Sequence, residues 1–447
     1  MKYDLTKGSV LKNLLRFSIP YLVACFLQTF YGLADLFMIG RLGGDAASTT
    51  GVSVGSQITH MLTVIIAGLA MGTTVSIASS VGAGNKKAVS RAVGSSIVLF
   101  SIFAVIATAL LMLFTDPILQ ILSTPKEALS ETRSYVLICF AGIVFITAYN
   151  VISSIFRGMG DTRSPLIFVF IAGIINIVLD YIFIGPLDKH AAGAALATVI
   201  SQAASVIISV IFLIKKKEFS LSLRDLIPER LSACRILGIG APIACQDGLI
   251  QIAFLVITAI ANARGVQSAA GVGIVEKVIT FLFLVPSAFL SATSAIGAQN
   301  AGAGKHERSF KTLKASILIC VIYGAVAVIL CEIFTENIVA AFTKDPEVIA
   351  LGATYLRSYA FDVCLAGIHF CLSGFFCAYG KPLYSFISNI AAIIAIRIPG
   401  AYLASVFFKD TLFPMGCAAP AGSLLSACIS LLLFVHLKRL IDHRVKF

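Results

Sequence analysis

At 447 residues, 58% of them hydrophobic and only 13% charged, the chain carries about half the charge, roughly 25% of residues, with which a soluble domain coats itself. A mean hydropathy of +0.96, concentrated in long apolar blocks, excludes a water-soluble globule and makes a lipid bilayer the expected solvent. The formal charge of +12 raises nucleic acid as a partner, but its placement along the chain points to membrane topology instead.

In chain order the apolar blocks give twelve helical spans, near residues 14–40, 49–78, 92–115, 134–157, 164–185, 191–214, 236–262, 269–298, 312–334, 353–379, 383–408 and 414–437. Four of the blocks, Ala92–Thr115, Ser134–Phe156, Ala191–Ile214 and Thr411–Val435, hold no Asp, Glu, Lys or Arg. Each exceeds the roughly 20 residues that carry a helix across a hydrocarbon core. A transmembrane barrel would instead show segments of about ten alternating residues. The first block is too long for a signal peptide and no small-residue cleavage site follows it, so it is expected to remain as a span.

Of the 34 Lys and Arg, 24 fall in the termini and alternate loops, eight fall in the opposite loops, and Lys277 and Arg397 lie inside spans. This is the positive-inside pattern. It predicts a multi-pass protein of the cell (plasma or inner) membrane with both termini cytoplasmic, a lipid bilayer as partner, and no nucleic-acid partner. Eleven cysteines lie almost entirely within the spans, with no Cys-x-x-Cys pair. They read as small core residues.

A shift of about 220 residues lays one half of the chain on the other. Ser18-Ile19-Pro20 meets Gly240-Ala241-Pro242, and Gly72 to Gly84 meets Ala292 to Gly304. Phe156 to Gly160 meets Phe376 to Gly380. The expected domains are an N-terminal lobe of six spans (1–218), a charged linker to about 235, and a C-terminal lobe of six spans (236–447). Six spans return the chain to its starting side, so the repeats are parallel. In transporters of that plan the substrate site lies near the bilayer midplane and access alternates. The fold class is therefore all-α, integral to the membrane, in two pseudo-symmetric six-helix bundles.

Polar residues inside spans are costly and mark ion or substrate paths. Gln28, Tyr31 and Asp35 share one face of the first span; Asn176 and Asp180 share one face of the fifth; Thr198 and Gln202 share one face of the sixth. Two carboxylates, an amide and a hydroxyl suit Na⁺, and the carboxylates equally suit proton exchange. The repeat acts as an internal control. Asp35 maps onto Leu255 or Ile257, Asn176 onto Ile393, Thr198 onto Ala421, and Asp180 onto Arg397. Residues that only hold the fold tend to recur in both halves, and these do not. Asn150, Gln246, Asp247 and Gln251 are further cavity candidates. The C-terminal half also carries Glu276, Lys277, Asp362, His369 and Arg397. Glu276-Lys277 reads as interfacial and His369 as structural, while Asp247 and Arg397 are a conceivable pair that the sequence does not bring together. Gly302-Ala303-Gly304-Lys305 lacks the remainder of a phosphate-binding loop, and no metal-ligand spacing or Gly-x-Ser-x-Gly appears.

Together with Pro20, Leu27-Gln28, Asp35 and Gly40-Arg41-Leu42-Gly43, the Arg157-Gly158-Met159-Gly160-Asp161-Thr162 turn and its following proline resemble the multidrug and toxic compound extrusion (MATE) family, over nearly the whole chain. The chain is most similar to prokaryotic members of the DinF- or MepA-like branches. The set Asp35, Asn176, Asp180 and Thr198 resembles the cation site of the N-terminal lobe in those members. The resemblance implies antiport: H⁺ or Na⁺ flows in, and amphipathic, often cationic, organic compounds are expelled, with no cofactor. A monomer is expected. Members coupled through C-lobe acids have a glutamate in the seventh span that this chain lacks, since Gln246-Asp247 follows Pro242. The alternatives are a lipid or lipid-linked oligosaccharide flippase of the same superfamily, disfavoured by the acidic N-lobe set, and an intramembrane aspartyl enzyme using Asp35 and Asp180.

Overall fold

The computed structural model describes residues 4–42, 45–121, 124–216, 222–227 and 229–445. Among these residues, ten helices are long and apolar enough to cross a bilayer, and two bent pairs bring the spans to twelve. In chain order they are α1 (Val10–Leu42), α2 (Ala46–Gly82), α3 (Lys86–Leu113), the bent α4 (Lys126–Ala141 and Ile143–Gly158), α5 (Arg163–Ile184) and α6 (His190–Lys215). There follow α7 (Arg230–Asn262), α8 (Val266–Gly302), α9 (His306–Ala340), the bent α10 (Pro346–Tyr359 and Asp362–Ala378), α11 (Pro382–Phe407) and α12 (Phe413–His443).

Helix ends follow local chemistry. Asp45 caps α2 by accepting a hydrogen bond from the Ser48 amide at 2.8 Å, and the Ser48 bonds hold its carboxyl below the usual range. Asn85 caps α3 through the Ala88 amide. Asp161, buried in the Arg-Gly-Met-Gly-Asp-Thr turn one residue before the N-cap Thr162, accepts from the Arg163 and Ser164 amides and from the Ser164 hydroxyl, which satisfies the first free amides of α5. Gly160 and Gly380 close the equivalent turns at φ +86° and +66°, a region open to glycine at little cost.

The chain divides into two compact units: Met1–Asp4 with Ile19–Gly240, and Leu5–Ser18 with Ala241–Phe447. In the N-terminal unit α2 packs against both limbs of α4, and α5 lies along α6. In the C-terminal unit the second limb of α10 packs against α8, α9 and α12. Glycines permit the closest approaches. A Cβ on Gly374 would lie 2.4 Å from the Leu290 carbonyl oxygen, and one on Gly367 would lie 2.7 Å from the Cys320 Cβ.

The repeat expected at an offset of 220 appears in bonded detail. Thr73 donates to Ser96 Oγ at 3.0 Å, and Thr293 donates to Ser316 Oγ at 2.8 Å. Spans four and ten, each a single apolar block in the sequence, bend by 48° and 43°. In α4 the bend falls at Gly142, where a Cβ would meet Val199 at 2.4 Å. In α10 it falls between Tyr359 and Asp362, both of which turn to Arg397. Hydropathy registers apolar length and carries no trace of such bends.

Candidate functional site

In the N-terminal unit the structure gathers the four residues singled out above. Asp35 on α1 and Asn176 and Asp180 on α5 are all buried, at 3%, 1% and 0% exposure. Thr198 on α6 donates to Asp35 Oδ2 at 3.2 Å. Asn176 and Asp180 adjoin Asp35 and interact with it directly. Asp35 Oδ1, both Asp180 oxygens and both amide atoms of Asn176 are buried and unpartnered. More than nine in ten buried polar groups in proteins do find a partner, and an unpaired one costs about 1–3 kcal/mol, more when charged. Five such atoms lie together in this one cluster. Two carboxylates, an amide and a hydroxyl form an oxygen-rich set, suited to a proton or a hard monovalent cation.

The remaining candidates divide. Gln202 is buried on α6 one turn from Thr198. Asn150 donates to the Ile146 carbonyl at 2.9 Å, which ties it to its own helix. Gln28 is half-buried on α1, and the side chain of Tyr31 lies outside the described residues. Gln246, Asp247 and Gln251 belong to the other unit. There Gln246 accepts from Ser385 Oγ at 2.7 Å, within a polar network of Ser385, Ser373, Asn389 and Ser426; Ser388, which donates to the Ser385 carbonyl, accepts in turn from Ser430. Asp247 and Gln251 are half-buried.

The C-terminal unit holds a second polar constellation whose geometry the sequence does not reveal. Arg397 pairs with Asp362 at 3.2 Å, rather than with Asp247. The same Nη2 donates to the Tyr359 hydroxyl, and the guanidinium lies over the Phe254 ring, 5.3 Å from its centroid. Glu276, which read as interfacial, is half-buried and accepts from Thr258 Oγ1 at 3.2 Å, whereas Lys277 is exposed. His369 is buried against Phe370. The available signal was the row of charged residues inside apolar spans; the pairing depends on the bend in α10.

The MatE family model matches the chain twice, over residues 20–182 and 242–403. The chain belongs to the MatE family. Each match falls in one of the two halves that the internal repeat defines. Among curated relatives, the probable multidrug resistance protein YpnP of Bacillus subtilis is 27% identical, over 97% of this chain and 96% of its own length. The probable multidrug resistance protein NorM of Thermotoga maritima is likewise 27% identical, over 97% and 96%. Among solved structures, a MOP superfamily transporter from Pyrococcus furiosus superposes with a TM-score of 0.93 at 23% identity, covering 98% of both chains; this likeness speaks for the fold. This MatE protein is thus a multi-pass efflux transporter and not an enzyme, which removes the aspartyl-enzyme alternative.

Proposed function

We propose that this MatE protein is a cation-coupled antiporter that expels amphipathic, cationic organic compounds from the cell. The coupling ion is H⁺ or Na⁺, and it acts at Asp35, Asn176, Asp180 and Thr198. One observation carries the reading: two carboxylates, Asp35 and Asp180, are buried side by side in direct interaction. Burying such charges is tolerable only when a proton, a metal cation or an organic cation neutralises them. Coupling then requires only that the ion and the drug bind differentially to the two access states. When the cavity faces the cytoplasm, the ionised pair attracts a cationic amphiphile. After outward opening, H⁺ or Na⁺ occupies the carboxylates and the drug leaves. The names of the relatives, multidrug resistance proteins, support the substrate class. The charge distribution supports cytoplasmic termini in the cell membrane, and a six-plus-six scaffold supports a working monomer.

The test is efflux of a labelled cationic drug from proteoliposomes under an imposed pH gradient or Na⁺ gradient, each applied alone. Wild-type protein is expected to respond to at least one gradient, and Asp35→Asn and Asp180→Asn are expected to fall to the level of empty liposomes. Undiminished antiport in Asp35→Asn would sink the reading.

A further inference from the structure

Two departures from regular helix in the C-terminal unit converge on one cavity. The first is the 43° bend of α10 between Tyr359 and Asp362. The second is a π-helical turn, Ile393–Arg397, inside α11. Such π turns are frequent at functional sites, and irregular backbone at membrane depth is tolerated where it is buried in protein or lines a cavity. Between them lies a cavity of about 60 Å³ bordered by Arg397, Asp362, His369, Asn389, Ser423 and Ser426, with Phe254, Phe283 and Phe370 as an aromatic wall. That is room for a small polar head group, since one water needs about 10–15 Å³ on this measure.

The polar atoms around it are incompletely used. Arg397 employs Nη2 for both Tyr359 and Asp362, while Nη1 and Nε make no hydrogen bond among the described residues. Three N–H donors of a permanently charged group are therefore available. Asp362 Oδ1 and His369 Nδ1 are buried and close no hydrogen bond, on residues 0% and 6% exposed, with the Ser423 hydroxyl beside Asp362. Glu276 is the other acid within electrostatic reach of the guanidinium; it is held by Thr258 and does not border the cavity.

We propose that this cavity is a binding subsite for an organic carboxylate bearing a neighbouring hydroxyl, with its hydrophobic part against the aromatic wall. The carboxylate accepts from the free N–H groups of Arg397, a charge-assisted contact stronger than a neutral one. The hydroxyl donates to Asp362 Oδ1, and His369 Nδ1 donates to the second carboxylate oxygen. A phosphate dianion fits less well, because Asp362 lies 3.2 Å from the same guanidinium and like charges repel at that range. A simple cation would face the guanidinium directly. The inference concerns residues of the C-terminal unit alone and does not rest on the coupling reading.

The experiment is equilibrium dialysis of the full-length protein in detergent with three labelled probes that share a ring and a hydroxyl: mandelate, mandelamide and 2-amino-1-phenylethanol. Mandelate is expected to bind saturably, at least tenfold tighter than the neutral amide or the cationic amine. Arg397→Gln is expected to remove at least tenfold of that affinity, while Lys277→Gln, at an exposed position that does not border the cavity, leaves it unchanged. The wild-type series decides the sign of the preference even where Arg397→Gln fails to fold. Amine binding as tight as mandelate, absence of saturable mandelate binding, or a folded Arg397→Gln with wild-type affinity overturns the assignment.

Discussion

Thr198 donates a hydrogen bond to Asp35 Oδ2, so its hydroxyl tests how tightly that cluster is tuned. Thr198→Val keeps the shape and removes the donor. A hydrogen bond to a charged group contributes about 1.5–3 kcal/mol, roughly a ten- to hundredfold change in an equilibrium constant. We expect the half-saturating concentration of the coupling ion in proteoliposome efflux to change by about that factor, while maximal efflux and thermal stability hold. An unchanged ion dependence would remove Thr198 from the site. At this scale the N-lobe cluster was legible in the sequence, because each member breaks an apolar span and none recurs in the other half. The Arg397–Asp362 pair was not. Both residues were visible as charges, but 35 positions separate them along the chain, and only the bend and the π turn bring them together.

Between elements, the internal repeat separates scaffold from chemistry. The bonds Thr73–Ser96 and Thr293–Ser316 recur at the 220-residue offset, so they belong to the shared architecture. Thr73→Val and Thr293→Val are each expected to lower stability by about 1 kcal/mol and to leave ion dependence alone, in contrast to Thr198→Val; thermal unfolding in detergent alongside coupled efflux separates the two classes. Helix contacts set a harsher limit. Gly374 brings α10 so close to α8 that a methyl group would lie 2.4 Å from a backbone oxygen, and backbone moves less readily than a side chain. Gly374→Ala should therefore cost about 1–3 kcal/mol, seen as a lowered unfolding temperature, and Gly374→Val should abolish folded yield. Glycine and serine patterns in the sequence hint at close helix packing. They do not say which helix approaches, so the bends in α4 and α10 were invisible to a count of apolar residues.

For the whole molecule, the division into two six-span halves was legible, because duplication leaves its offset in the sequence. The docking of Leu5–Ser18 with the C-terminal unit was not, because its partners lie some 300 positions away. Arg308 donates to the Gly8 carbonyl at 2.7 Å and to the Lys7 carbonyl at 3.2 Å, and Lys305 Nζ donates to the Thr6 carbonyl at 3.0 Å. Beneath these bonds Leu5, Leu14 and Phe17 join an apolar cluster with Phe289, Leu313 and Phe375. The bonds and the apolar contacts are separable. Charge-assisted bonds to exposed carbonyls fix the loop, whereas the fully buried Phe17 fixes the helix start. Arg308→Ala is expected to raise amide hydrogen exchange over Leu5–Lys12 by one to two orders of magnitude, from the loss of about 1.5–3 kcal/mol of hydrogen bonding, with the unfolding temperature nearly unchanged. Phe17→Ala removes core packing worth about 3–5 kcal/mol and should lower that temperature. If Arg308→Ala leaves exchange at the wild-type rate, the apolar contacts alone hold the segment and its arginine contacts are incidental.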